Sequence, residues 1–203
     1  VEDDSTLFIG GNFWDGRATG ERLGDPIAEQ AQGPFVNPVE QALPDTGCVV
    51  RRVCAAGYPV TFESQFPGSC DIAWPADVDG ACALPAGTLQ MKPPDRAASN
   101  RAYDRIATAI AAYERSREVN PFSSKFDRYL AGDAALSPEE QAGLELFTGR
   151  GQCSACHPLD RGPDGEPPLL TDFTFDNLGI PRNPENPWYR AVSNPAGPRW
   201  VDE

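Results

Sequence analysis

The chain has 203 residues, 40% of them apolar, which suits one or two small domains with a genuine core. Seventeen basic and 30 acidic residues leave a net charge of −13, which argues against nucleic acid and fits either a basic protein partner or simple solubility. No apolar run approaches the ~20 residues that a membrane span needs, and no signal peptide is visible.

With 21 prolines and 19 glycines, much of the chain is expected to be loop. The first 47 residues carry Phe13-Trp14-Asp15-Gly16-Arg17-Ala18, then Glu29-Gln30-Ala31-Gln32-Gly33-Pro34, then Asn37-Pro38-Val39-Glu40. Glycine and proline leave room for only a short helix, over 25–32. An aromatic, a carboxamide and a carboxylate are thus offered on or beside loops, where active-site groups often sit. Taken singly, each also fits an ordinary core or surface role.

Val49, Val50 and Val53, then Tyr58, Phe62 and Phe66, recur near helical spacing, and Pro59 divides them into two short helices. Residues 67–98 are rich in Pro, Gly, Ala and Asp and read as an irregular loop. Cys48, Cys54, Cys70 and Cys82 form an even set, expected to make two disulfides in an exported chain. The local pairing Cys48–Cys54 and Cys70–Cys82 is the favoured one of three. Met91, the only methionine, is a candidate axial ligand to iron or a packing residue.

Asn100 is placed to cap a helix running to about Arg117, with Tyr103, Ile106, Ile110 and Tyr113 on one face. Phe122, Phe126 and Tyr129 give a shorter stripe. Ser137-Pro138-Glu139-Glu140 is a helix start: Ser137 caps, Pro138 takes the first helical position, and Glu140 completes a capping box. Gly149 and Gly151 end that helix just before Cys153-Ser154-Ala155-Cys156-His157.

This C-x-x-C-H run is the attachment pattern for haem c. Two thiols add to the two vinyl groups, and the adjacent imidazole lies under the iron. His157 is the only histidine, so no other imidazole competes. A redox dithiol would call for a βαβ context, and a zinc site for a second ligand pair; neither follows. Beyond it, Phe173, Phe175, Leu178 and Ile180 are expected to wall the haem. Arg182 reaches either a haem propionate or solvent.

The three early motifs resemble the bacterial di-haem cytochrome c peroxidase family, which includes MauG-type enzymes. Ser124-Lys125-Phe126-Asp127-Arg128-Tyr129-Leu130-Ala131-Gly132-Asp133 and Phe173–Pro181 extend the resemblance over nearly the whole chain. It implies a mainly α fold with two cytochrome c-like parts: 1–99, part of the first-haem domain with a disulfide-pinned insertion, and 100–203, the second-haem domain. It implies Trp14 between two haems, and Gln30 and Glu40 in the peroxide pocket of the first. Two departures stand out: about six extra residues within Gly20–Pro26, and Gln41 where the family commonly has Met.

The implied function is reduction of hydrogen peroxide to water with electrons from a small donor protein, a cytochrome c or a cupredoxin, entering at His157. One haem c attaches here and a second is expected in the complete protein; calcium is a further metal that the family leaves open. The family pattern runs past both ends, so this stretch is expected to be the middle of a longer chain or one piece held with others of the same protein. Covalent haem attachment implies export, in bacteria to the periplasm. The alternatives are a non-enzymatic one-haem electron carrier and a MauG-type oxidase.

Overall fold

The computed structural model describes residues 8–9, 11–57, 59–175, 179–181 and 183–185. Tyr58, Leu178 and Arg182, singled out above, lie outside the described residues. The protein is mainly helical. Among the described residues its helices are α1 (Pro26–Val36), α2 (Thr46–Ala55), α3 (Pro59–Gln65), α4 (Val78–Cys82), α5 (Pro93–Glu114), α6 (Lys125–Leu130) and α7 (Pro138–Thr148). A single antiparallel pair joins β1 (Phe8–Ile9) to β2 (Thr174–Phe175), with Phe8 opposite Phe175. None of the described helices is long and apolar enough to cross a membrane.

The chain divides into two compact units, one of Gly11–Arg115 and one of Val1–Gly10 with Ser116–Glu203. The first unit runs to Arg115. The reason is α5. It starts at Pro93, with two prolines in its first turn where missing N–H groups cost nothing, and continues through Asn100 to Glu114. Tyr103 and Ile106 face the core as expected, and Tyr113 emerges from it.

Two apolar clusters build the Gly11–Arg115 unit. One gathers Leu43, Cys48, Val49, Val50, Phe62, Ile72, Val78, Cys82, Leu89, Ala102, Tyr103 and Ile106. The other is small: Ala28 and Ala31 of α1 meet Ala107 and Ala111 of α5. Alanine on both sides brings the two helix backbones close, and the fit follows from side-chain size more than from hydrophobicity. Asp25 caps α1 through Ile27 N–H, and Arg115 at the end of α5 grips the same carboxylate at 2.6 and 2.7 Å.

Asp45 is the polar centre of this unit. It caps α2 through Gly47 N–H (2.7 Å), accepts from Leu89 N–H (2.9 Å), and takes a bidentate pair from Arg96 at 2.7 and 3.0 Å. One buried carboxylate thus ties α2, the loop before α5 and α5 itself. Burial pushes its pKa up, but Arg96 and the two backbone donors outweigh that, and the net shift is downward.

The disulfides are Cys48–Cys82 and Cys54–Cys70, not the local pairs favoured from sequence. The correction has a geometric cause. Cys48 and Cys54 both lie on α2, six residues apart, so about 9 Å of helical rise separates them. A disulfide needs Cα atoms within about 7 Å. Each α2 cysteine instead reaches across to the stretch 67–98, which contains α4 and is stapled to the helix at two points.

Two predictions follow from these contacts. Non-reducing peptide mapping should recover Cys48 linked to Cys82 and Cys54 linked to Cys70; a Cys48–Cys54 peptide would contradict the fold of α2. By loop-closure entropy the bridges, spanning 34 and 16 residues, contribute about 4 and about 3 kcal/mol. Asp45→Asn keeps the shape but strands Arg96, and denaturant titration should show a loss of about 3 kcal/mol. Because the folded-state pKa is depressed, Asp45's contribution is complete above its unfolded pKa of ~3.9 and fades as pH falls through the lower folded value.

Candidate haem and peroxide site

The C-x-x-C-H run sits on a single turn at the end of α7. Ser137 and Glu140 form the predicted capping box with Pro138 at the first helical position, so the start of α7 is fixed as the sequence suggested. Its other end folds back on itself: Gly149 N–H donates to Glu145 O and Gly151 N–H to Leu146 O, both at 2.9 Å. A Cβ on either glycine would lie 2.6 Å from that carbonyl oxygen, so close approach of backbone is what requires glycine here.

Cys153–Ala155 is then a 3-10 turn, extended by His157 N–H donating to Cys153 O at 2.9 Å. The turn places both thiols and the imidazole within one helical revolution. Cys153 and Cys156 are free and exposed. The His157 ring lies 6.4 Å from that of Phe147 of α7. Its Nδ1 donates to the Leu170 carbonyl at 2.7 Å; a carbonyl can only accept, so a proton sits on Nδ1, and in the neutral ring Nε2 keeps its lone pair.

These residues fit a haem c. Two unpaired thiols at the right spacing, an imidazole with Nε2 free and Nδ1 fixed by a backbone acceptor, and apolar walls are the donor set such a group needs. Of the expected wall, Phe173, Phe175 and Ile180 are each half or more exposed, and Leu169 joins them. Among the described residues of this unit Pro168 alone is buried, and its other apolar side chains cover one another only in part.

The other candidate residues lie in the Gly11–Arg115 unit. The loop bearing Trp14 closes by a bridge between Asn12 and Ala18. Inside it Asp15, side chain buried, takes Arg17 Nη1 at 2.8 Å, and the Arg17 guanidinium stacks over the Phe13 ring at 3.7 Å. Phe13 presses onto α1 at Gly33, where any Cβ would meet its Cζ at 2.8 Å. With Phe13, Asp15 and Arg17 holding the loop, Trp14 is left 65% exposed.

Gln30 is half-buried on α1, which extends to Val36, beyond the expected end at 32. Asn37 ends α1 and organises the turn that follows: its Oδ1 accepts from Val39 N–H and its carbonyl from the N–H groups of Glu40 and Ala42. The Glu40 and Gln41 side chains are exposed on this turn. Met91 is half-buried against the larger apolar cluster.

Sequence reasoning missed Glu29. Its carboxylate accepts from the N–H groups of Gly20 (2.9 Å), Arg22 (2.6 Å) and Leu23 (2.9 Å), fixing the path of the extra Gly20–Pro26 stretch. Burial raises its pKa, and the three backbone donors lower it further than that, for a net downward shift. Tyr103, on the apolar face of its helix, is core: burial pushes its phenol up to about 12, and its O–H donates to Gln32 O at 2.5 Å. It remains a structural donor across the working pH range. Among the described residues no group of three or more His, Cys, Asp or Glu side chains is placed to hold a metal ion.

A helical protein with a C-x-x-C-H turn at a helix end has the cytochrome c-like architecture. The chain belongs to the di-haem cytochrome c peroxidase family, whose model matches residues 5–135. It is similar to the methylamine utilization protein MauG of Paracoccus denitrificans (strain Pd 1222), 32% identical over 182 residues, 89% of this chain and 39% of that protein. It also resembles the cytochrome-c peroxidase IdrP1 of Denitromonas iodatirespirans, 44% identical over 78 residues, 38% of this chain and 19% of that one. Among solved structures, the diheme peroxidase BthA of Burkholderia thailandensis E264 matches with a TM-score of 0.60 at 30% identity, over 92% of this chain and 38% of that one. The chain thus spans about two fifths of the MauG relative and of BthA.

Gly143 within α7 and Gly151 just beyond it give a paired test. Gly143 has open space at its Cβ position, so Gly143→Ala should be neutral or stabilise by up to about 1 kcal/mol. Gly151→Ala should instead destabilise the turn, lowering the melting temperature of the native protein. Equal effects would contradict the close approach to Leu146 O.

Proposed function

We propose that the chain is part of a haem c oxidoreductase that reduces hydrogen peroxide to water with electrons from a small donor protein. The observation that carries this reading is the pair of free thiols beside an imidazole whose Nδ1 is already committed. Cys153 and Cys156 bind the haem c covalently, and His157 offers Nε2 to its iron. When bound, the haem supplies one-electron chemistry, and His157 marks the entry point of electrons. A second haem belongs to the complete protein, with Trp14 on the path between the two.

The remaining residues act on peroxide at that other haem, the first one of the family pattern, and not at the haem on His157. Breaking the O–O bond requires a proton to move from one oxygen to the departing one; two electrons and two protons complete the two waters. Glu40 carries that proton. Gln30 has no titrating group and orients peroxide by hydrogen bonds. The exposure of Trp14 and of the Glu40 turn is consistent with both facing a group outside this chain's own fold. Met91, packed against the core of its unit, is assigned to packing and not to iron.

The net charge of −13 supports a basic donor, a cytochrome c or cupredoxin, and two disulfides support export to the periplasm. A MauG-type oxidase acting on a protein or organic substrate is the second reading, favoured by the match to MauG over 89% of the chain. In the complete protein, Glu40→Gln should cut peroxide turnover by about 10² or more while both haem spectra stay intact. Near-normal turnover would return Glu40 to a structural role on its turn. No turnover in the unaltered protein, with closed six-coordinate iron, would favour the one-haem carrier.

A further inference from the structure

The Leu170 carbonyl that receives His157 Nδ1 is aimed by an unusual backbone. Leu170 has φ 57°, and Phe173 three residues on has φ 63°. Leucine avoids this left-handed region because Cβ crowds the carbonyl oxygen, and such a conformation persists only when the surroundings over-determine it. The Leu170 side chain is 42% exposed, so packing of that side chain does not impose the conformation. Constraints do flank it. Pro168 is buried on one side; on the other, Thr171 Oγ1 accepts from Phe173 N–H at 3.0 Å, and Asp172 Oδ1 accepts from Thr174 N–H and Oγ at 2.9 Å.

We propose that Leu170 is a positioning residue for His157: its left-handed backbone, and not its side chain, aims the carbonyl that fixes the ring's orientation and its Nδ1–H tautomer. The inference rests on the reading that His157 offers Nε2 to haem iron. A proton held on Nδ1 leaves the Nε2 lone pair directed outward, and a strong Nδ1–H bond makes the imidazole a better electron donor. Electron donation favours ferric over ferrous iron, so the bend at Leu170 also biases the potential of the site.

Because His157 is the only histidine, ¹⁵N-histidine labelling reports on this ring alone. In the native protein, Leu170→Gly admits positive φ freely and Leu170→Val resists it. Covalent haem is first measured in each by mass. Leu170→Gly should retain the wild-type rate of Nδ1 proton exchange. Leu170→Val should exchange about tenfold faster, and its ferric-to-ferrous ratio at a fixed applied potential should fall about two- to tenfold, the span of one ordinary hydrogen bond. Loss of haem in Leu170→Val alone also supports the proposal. Identical behaviour in all three proteins overturns it, as does a Gly variant that shifts or loses haem along with Val. Wild-type protein without covalent haem defeats the site reading instead. The labelled ring then decides the tautomer alone: Nδ1–H in wild type and Gly but not in Val supports the proposal, and no difference overturns it.

Discussion

The hydrogen bond from His157 Nδ1 to the Leu170 carbonyl is the contact on which the candidate site depends. A neutral imidazole carries one ring proton, and the nitrogen that holds it cannot bind iron. Holding that proton on Nδ1 leaves Nε2 as the nitrogen able to take a metal and sets the plane of the ring. The contact joins the C-x-x-C-H turn to a loop thirteen residues later, so the turn and the loop are positioned together. On the other side, the turn is held by the two carbonyls of α7 that close over Gly149 and Gly151.

The two compact units are stabilised by different means. Gly11–Arg115 has a closed apolar core, a carboxylate hub at Asp45, an alanine seam between α1 and α5, and two disulfides. The unit with His157 is held among its described residues by capping boxes on α6 and α7 and by side chain–backbone turns, with Phe173, Phe175 and Ile180 among its exposed apolar groups. The haem proposed at Cys153 and Cys156 would bring such a unit a flat apolar group with about the area of several aromatic side chains to bury.

The features legible in the sequence were those written in local chemistry. Ser137-Pro138-Glu139-Glu140 specified its helix start, Pro59 separated α2 from α3, and C-x-x-C-H placed two thiols and an imidazole on one turn. What was not legible depends on tertiary geometry. The disulfide partners follow from which way α2 faces, which counting residues between cysteines does not reveal. The α1–α5 seam is built from alanines, whose weak hydrophobic signal leaves no period to read. The start of α5 has a signal in Pro93-Pro94, which fit the first turn of a helix, whereas the sequence reading placed the cap at Asn100. The left-handed Leu170 leaves no trace in composition, since leucine is among the residues least expected there.

The most direct measurement is the mass of the tryptic peptide Gly151–Arg161 from the native protein. The account predicts this peptide with one haem added and neither Cys153 nor Cys156 open to alkylation. A peptide of unmodified mass, with both thiols alkylated or joined to each other, would contradict it.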